Sequence, residues 1–287
     1  MNYILTTCIN LPQFAIDNFV RSLSETNFSE ILVLFIGEED IPKIKKIRKT
    51  NFKIEAIVNK SEDHPILNRF SNYENYLLKK ENVDDVFICD SRDFLFQKNI
   101  FDFDFDKLKR YPNEKKKDIY FTMECGYIGE CKINRDWFFS LFNFCNFSDS
   151  KLRADSFFNK RVSCAGAIYG NKFSILSYLN IMNSYLSVIK EKTSSVFFLD
   201  QAIHNYILYS HGMSAFSVGT VDNKDGLVNH VSWGINRKTS FVSDSGEIVN
   251  QNGEKASSVH LFDRNELFLN KMKNSIKWKN YNLKMKR

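Results

Sequence analysis

Proline and glycine are scarce, 4 and 11 of 287 residues, which excludes collagen-like and linker-rich disordered chains. No apolar run approaches the roughly 20 residues a bilayer-spanning helix needs. The greasiest stretch, Phe138 to Phe147, contains Ser140, Asn143 and Asn146, so it reads as a buried helix. The opening Met1-Asn2-Tyr3-Ile4-Leu5 lacks the basic region and small-residue cleavage site of a signal peptide; a cytoplasmic protein is expected. The six cysteines, Cys8, Cys89, Cys125, Cys131, Cys145 and Cys164, form no Cys-x-x-Cys and read as reduced, structural thiols. Neither the glycine-rich dinucleotide fingerprint nor the P-loop pattern occurs, which disfavours a dehydrogenase or a P-loop NTPase.

What is present is globular: 43% hydrophobic and 26% charged residues, values typical of a packed domain. At about 150 residues per domain the length allows one or two. With no repeat, low-complexity tract or linker in view, a single domain over 1–265 is expected, followed by a basic tail over 266–287. The net charge of +6 suits nucleic acid, an anionic membrane or a phosphorylated small molecule. The distribution says more than the sign: Lys271, Lys273, Lys277, Lys279, Lys284, Lys286 and Arg287 crowd an end without Asp or Glu. Such a segment is either a solvated basic helix or a docking element for the anionic inner membrane face.

Short apolar runs at Tyr3–Ile9, Ile31–Ile36, Phe52–Val58 and Val86–Cys89 predict strands. Helical spacing at Gln13–Leu23, Ile41–Lys49 and Ile66–Lys80 predicts helices between them. This alternation implies a parallel sheet covered on both faces. Beyond residue 100 the pattern becomes mixed, with strands at Ile119–Met123 and Gly166–Tyr169 and helices at Trp137–Phe144, Phe173–Leu186 and Gln201–Tyr209.

Three polar clusters interrupt this frame. The run Val86-Phe87-Ile88-Cys89-Asp90-Ser91-Arg92-Asp93 ends a buried strand in two carboxylates and a guanidinium. It is either a strand-end ion pair or a site for Mg²⁺ or Mn²⁺ completed by a ligand's phosphates. Asp200 precedes a helical pattern, where it can cap the helix; Gln201 and Asn205 share one face of that helix and can offer hydrogen bonds to sugar hydroxyls. His260 precedes Asp263 and Arg264, and an imidazole beside carboxylates tilts metal preference toward Mn²⁺.

Together and in this order, these residues and the Cys164-Ala165-Gly166 step resemble nucleotide-sugar glycosyltransferases of the GT-A fold. "DSRDFLFQKNIF" is similar to the D-x-R-D-x-x-F-Q-x-x-P-F variant of that fold's DxD signature, and "SSVHLFDR" to the V-H-Q-Y-D-R segment that closes the same proteins. The resemblance implies an α/β fold with a Rossmann-like sheet, a nucleotide-binding half over 1–100 and an acceptor half over 101–265. It implies a metal, Mn²⁺ or Mg²⁺, on Asp93 and His260. Asp90 would lie near the ribose or on the metal, and Arg92 would support the acid loop. Thr6 on the first strand and Arg69 would border the nucleotide, while Asp200 and Gln201 would face the transferred sugar. The implied donor is a UDP-sugar first and a GDP-sugar second; the implied acceptor is a glycan or glycolipid. Cys164 replaces the family's usual Asn, and Ile100 its usual Pro.

Two other readings compete. A haloacid-dehalogenase-type phosphatase requires a second Asp where Arg92 stands, and Arg92 cannot give up its proton. A non-catalytic sugar- or nucleic-acid-binding protein would use the basic end with Trp233, Trp278 and Tyr281 as stacking platforms. That reading leaves the acid and imidazole constellation without a purpose, so no nucleic-acid partner is expected.

Overall fold

The computed structural model describes residues 1–47, 49–59, 65–145, 154–191, 199–210, 212–231 and 240–284. In chain order the first half comprises β1 (Tyr3–Thr7), α1 (Gln13–Ser24), β2 (Ile31–Ile36), α2 (Ile41–Lys45), β3 (Lys53–Val58), α3 (Pro65–Leu78), β4 (Asp85–Cys89) and β5 (Phe94–Phe96). It continues with β6 (Ile119–Tyr127), α4 (Lys132–Phe144), β7 (Arg161–Asn171), α5 (Lys172–Lys190), α6 (Leu199–Tyr209), β8 (Val218–Val221) and β9 (Val228–His230). The last elements are β10 (Ser240–Val242), β11 (Ile248–Asn250), β12 (Ser258–His260) and α7 (Glu266–Asn274). The expected elements are all present. The helix expected over Ile41–Lys49 is shorter, and the apolar stretch after Cys145 lies outside the described residues.

Seven strands form one sheet in the order β3-β2-β1-β4-β7-β6-β8. The first four are parallel, and β7 enters antiparallel to β4 and β6. Strand side chains alternate between faces, and the core divides accordingly. Tyr3, Leu5, Val33, Phe35 and Ile88 pack with α3 to α6 on one face, while Ile4, Leu32, Leu34, Phe87 and Cys89 pack with α1 on the other. The result is an α/β sheet covered by helices on both faces, with a mixed second half. The chain leaves β1 toward β2 and β3 and returns on its other side with β4. In open α/β sheets, ligands bind in the crevice at the carboxyl ends of the strands at such a reversal.

A second sheet of three short strands, β5-β12-β9, builds a ledge beside that crevice. Phe94 and Phe96 anchor it, lying 5.1 Å from each other, and Phe96 lies 5.3 Å from Phe19 of α1. Each such ring pair contributes about 0.5–1.5 kcal/mol beyond its buried area. Gln97 knits the ledge to the later chain: its amide donates to the Ile248 and Ala256 carbonyls and accepts from the Ile248 N–H.

The basic segment after residue 265 is not a solvated tail. Phe268, Leu269 and Met272 of α7, with Trp278, Tyr281 and Leu283, are buried in a third core with Leu95, Val231 and Val259 of the ledge. The Trp278 indole donates to the Gly246 carbonyl at 2.7 Å. Apolar residues therefore govern the packing, and Lys271, Lys273, Lys279 and Lys284 occupy the outer surface. The same burial removes Trp278 and Tyr281 as stacking platforms; Trp233 lies outside the described residues. No helix among the described residues is long and apolar enough to cross a membrane, and all six cysteines are free thiols.

Helix α6 is fastened to β7 through His204, whose ring nitrogens meet Ser163 Oγ at 2.8 Å and the Tyr178 hydroxyl at 2.9 Å. Burial pushes the imidazole down to about 3, so it is neutral in the fold, whereas an unfolded histidine takes a proton near pH 6.5. Between these values the unfolded state binds more protons. The contribution is complete above the unfolded value and is lost as the pH falls toward the folded one. Urea titrations of His204→Gln should show a shallower loss of stability below about pH 6.5 than the native chain; parallel profiles would contradict this assignment.

Candidate metal centre

The turn after β4 delivers Asp90 and Asp93 to the crevice. Ser91 Oγ donates to the Thr7 carbonyl at 2.7 Å, tying the turn to the end of β1. His260 arrives from the far end of the chain because β12 pairs with β5, setting His260 opposite Phe94. Leu261 follows in the left-handed region, φ 63°, a conformation costing a branched residue roughly 1–2 kcal/mol. Its N–H is fixed by the Asp93 carbonyl at 3.0 Å. The imidazole Nε2 lies 3.4 Å from Asp90 Oδ2 and 3.3 Å from Asp93 Oδ1.

The predicted ligands Asp90, Asp93 and His260 thus converge, with their ligand atoms within 4.8 Å of one another. Nε2 is buried and makes no well-aligned hydrogen bond, and two carboxylate oxygens face it. A hard divalent cation among the three would satisfy all of them, so the donor set fits Mn²⁺ or Mg²⁺. Although burial opposes ionisation, Arg69 and His260 hold the Asp90 carboxyl well below the usual carboxylate range. His260 and Arg264 likewise hold Asp93 down against its burial. Burial works against a charged His260, but Cys164 and the two aspartates raise its basicity well above an ordinary histidine's.

Gly166 sets how closely these groups approach. A Cβ there would lie 2.5 Å from Asp90 Oδ2 and 2.8 Å from His260 Cε1, closer than real side chains pack. The Asp90 N–H donates to the Gly166 carbonyl at 2.9 Å, so the missing side chain and the pairing of β4 with β7 act on one spot.

The guanidinium of Arg69 on α3 donates to Asp90 Oδ1 at 2.6 Å and to Asp200 Oδ2 at 2.8 Å, bridging the two carboxylates while buried itself. Asp200 lies in the first turn of α6, where its carboxylate pairs with Arg69 and also accepts from the Gln201 backbone N–H. Gln201 and Asn205 are spent on the strand. The Gln201 amide accepts from the Ala165 N–H and donates to the Ser163 carbonyl, and Asn205 pairs with both backbone groups of Ser163. They act where the β6–β7 ladder shifts register after Phe121, so Gln201 supports the strand under the site rather than presenting its full amide to a sugar. Thr6 is fully buried within β1, and Thr7 is the β1 residue at the crevice edge, hydrogen-bonded to Tyr73. Arg92 is half-exposed and faces Asp263, 3.8 Å away, rather than the metal acids.

Sequence reasoning missed His230 and Glu124 as neighbours of His260, and marked Cys164 only as part of the Cys164-Ala165-Gly166 step. His230 reaches His260 because β9 and β12 run side by side, with the two histidines in register; their Nδ1 atoms are 3.2 Å apart. Cys164 Sγ lies 3.5 Å from His260 Nδ1. Glu124 of β6 has its carboxyl raised by burial, against His260, Arg264 and a hydrogen bond from Cys164. No local spacing signals these three, since each meets His260 only through strand pairing. A cavity of about 620 Å³ beside α1, lined in part by Gln13, Asp17, Arg21, Lys46 and Asn282, contains none of the site residues.

Compared with known protein families and with curated proteins, the chain matches none. The geometry therefore carries the functional reading alone.

Two substitutions test the architecture. Gly166→Ala should push Asp90 off His260 and weaken Mn²⁺ binding, read by electron paramagnetic resonance, by about 10–100-fold; unchanged affinity would show that the close approach is unimportant. Arg69→Ala strips buried Asp200 of its ion pair and leaves Asp90 only His260, and should cost about 3–5 kcal/mol in urea unfolding. Arg69→Lys should not restore this, because one ammonium cannot bridge both acids.

Proposed function

We propose that the chain is a divalent-metal-dependent glycosyltransferase of GT-A type, moving a sugar from a nucleoside-diphosphate sugar to a glycan or glycolipid acceptor. One observation carries the reading: Asp90, Asp93 and His260, from opposite ends of the chain, converge at the carboxyl end of β4 where the strand order reverses. A crevice at that point suits a nucleotide, and the carboxylate-imidazole set suits Mn²⁺ with the donor's phosphates completing its shell. A UDP-sugar is the first donor to try and a GDP-sugar the second.

When bound, the cation stabilises negative charge developing on the departing diphosphate. The chain's own residues do the rest. Asp93 and His260 fix the ligand positions, and Gly166 sets the distance between Asp90 and the imidazole. Arg69 holds Asp90 and Asp200 in place. With its carboxylate on Arg69, Asp200 serves to position the sugar pocket rather than to take the acceptor proton. This arrangement favours retention of anomeric configuration, with the departing phosphate receiving that proton. The exposed Lys271, Lys273, Lys279 and Lys284 on the outer surface of the C-terminal segment are suited to an anionic cytoplasmic membrane face carrying the acceptor.

Thermal-shift screening of nucleotide sugars with and without Mn²⁺ tests the reading. A cognate donor raises the melting temperature only with the metal, since a ligand binding the folded state alone stabilises it by mass action. Asp93→Asn and His260→Ala should each abolish the metal-dependent shift and donor turnover while the far-ultraviolet circular dichroism stays native. Native turnover in both variants would remove the metal from these residues.

A further inference from the structure

His260 has a second side. Its Nδ1 faces away from the aspartates, toward Cys164 Sγ at 3.5 Å and His230 Nδ1 at 3.2 Å. All three side chains are buried, and their ligand atoms lie within 4.8 Å of one another. In a tetrahedron with bonds of about 2.0 Å to nitrogen and about 2.3 Å to sulfur, the nitrogens sit about 3.3 Å apart and sulfur about 3.5 Å from nitrogen. The two separations from His260 match a zinc shell, and Cys164 and His230 lie within 4.8 Å of each other. The carboxyl of Glu124 is hydrogen-bonded to Cys164.

The proton arrangement is already that of a ligand set. Thr122 Oγ1 donates to the Ala167 carbonyl at 2.7 Å, so at 3.0 Å it accepts from His230 Nε2–H. That bond fixes the His230 tautomer and leaves its Nδ1 lone pair aimed at His260 and Cys164. The other ring has acids on its outer side: with Nδ1 on a metal, His260 Nε2–H lies 3.4 Å from Asp90 Oδ2 and 3.3 Å from Asp93 Oδ1. His230 thus has the outer hydrogen-bond partner that metal-bound imidazoles use, and His260 has two carboxylates beside its outer nitrogen.

We propose that Cys164, His230 and His260 form a buried site for a thiophilic cation of the Zn²⁺ class, sharing His260 with the carboxylate centre. Binding releases the thiol proton and any proton on His260 Nδ1 to solvent, while Nε2 keeps its hydrogen for the aspartates. A hard cation on Asp90 and Asp93 needs the reverse, a free Nε2 lone pair with the hydrogen on Nδ1. As a neutral imidazole with a single lone pair, His260 serves one cation at a time, so zinc and Mn²⁺ compete for it. The zinc site stands without the glycosyltransferase reading; that this competition switches off sugar transfer rests on it.

The test uses the full chain with Co²⁺ and Zn²⁺ alone. Co²⁺ should give a thiolate-to-metal charge-transfer band that disappears in Cys164→Ser. Zn²⁺ affinity, measured against a chromogenic chelator, should fall at least about 10-fold in His230→Gln and in Thr122→Val, with Thr122→Ser restoring it. Zn²⁺ should weaken Mn²⁺ binding in the native chain and not in Cys164→Ser. No thiolate band in the native chain, or a band that survives Cys164→Ser, overturns the proposal; should Cys164→Ser fail to fold, unchanged Zn²⁺ affinity in Thr122→Val overturns it. Zinc binding without any donor turnover would sink only the proposed activity, and donor turnover without zinc binding only this site.

Discussion

Three carboxylates, Asp90, Asp93 and Asp200, are gathered beneath the carboxyl edge of the sheet, and burying them ionised is affordable only if positive charge is delivered to the same place. Arg69 answers for two of them by spanning the gap between α3 and α6. The third relies on His260 and Arg264, both supplied by the segment that follows β12 or ends it. The requirement couples distant parts of the chain. Neither the helical layer nor the ledge can shift without stranding a charge.

Much of the frame was legible beforehand because it depends on local pattern. Runs such as Ile31–Ile36 bury both faces of a strand, and the spacing of Phe19, Val20 and Leu23 can only present one side of a helix to them. Asp90 and Asp93 stood out because two acids end an otherwise apolar strand. Other features depend on pairings that leave no periodic trace. Strands of three residues, such as β9 and β12, are too short to announce themselves, and the register that sets His230 beside His260 is fixed by non-local hydrogen bonds. Asp200 has a pairing of the same kind: a carboxylate at a helix start matches capping, and its ion pair with Arg69, from a helix 131 positions earlier in sequence, leaves no local trace.

The C-terminal segment shows how composition can mislead. Seven cations without an acid suggest a solvated arm, yet Phe268, Leu269, Met272, Trp278 and Tyr281 decide how it packs, and Lys271, Lys273, Lys279 and Lys284 adapt by occupying the outside. Lys277 marks the limit of that accommodation. It is partly covered, reaches Gln97 at 3.1 Å, and its ammonium is pushed down to about 8 by burial.

The anchoring of Trp278 has a consequence for the order of events during synthesis. The ledge carrying His260 is backed by residues translated well after β1 to β4, so a growing chain can form those strands and pair Arg69 with Asp90 while the imidazole still lacks its support. The corner that gathers Asp90, Asp93 and His260 closes only once the segment through Trp278 and Tyr281 has emerged, and a chain stopped before that segment would carry a formed sheet with an unfinished centre.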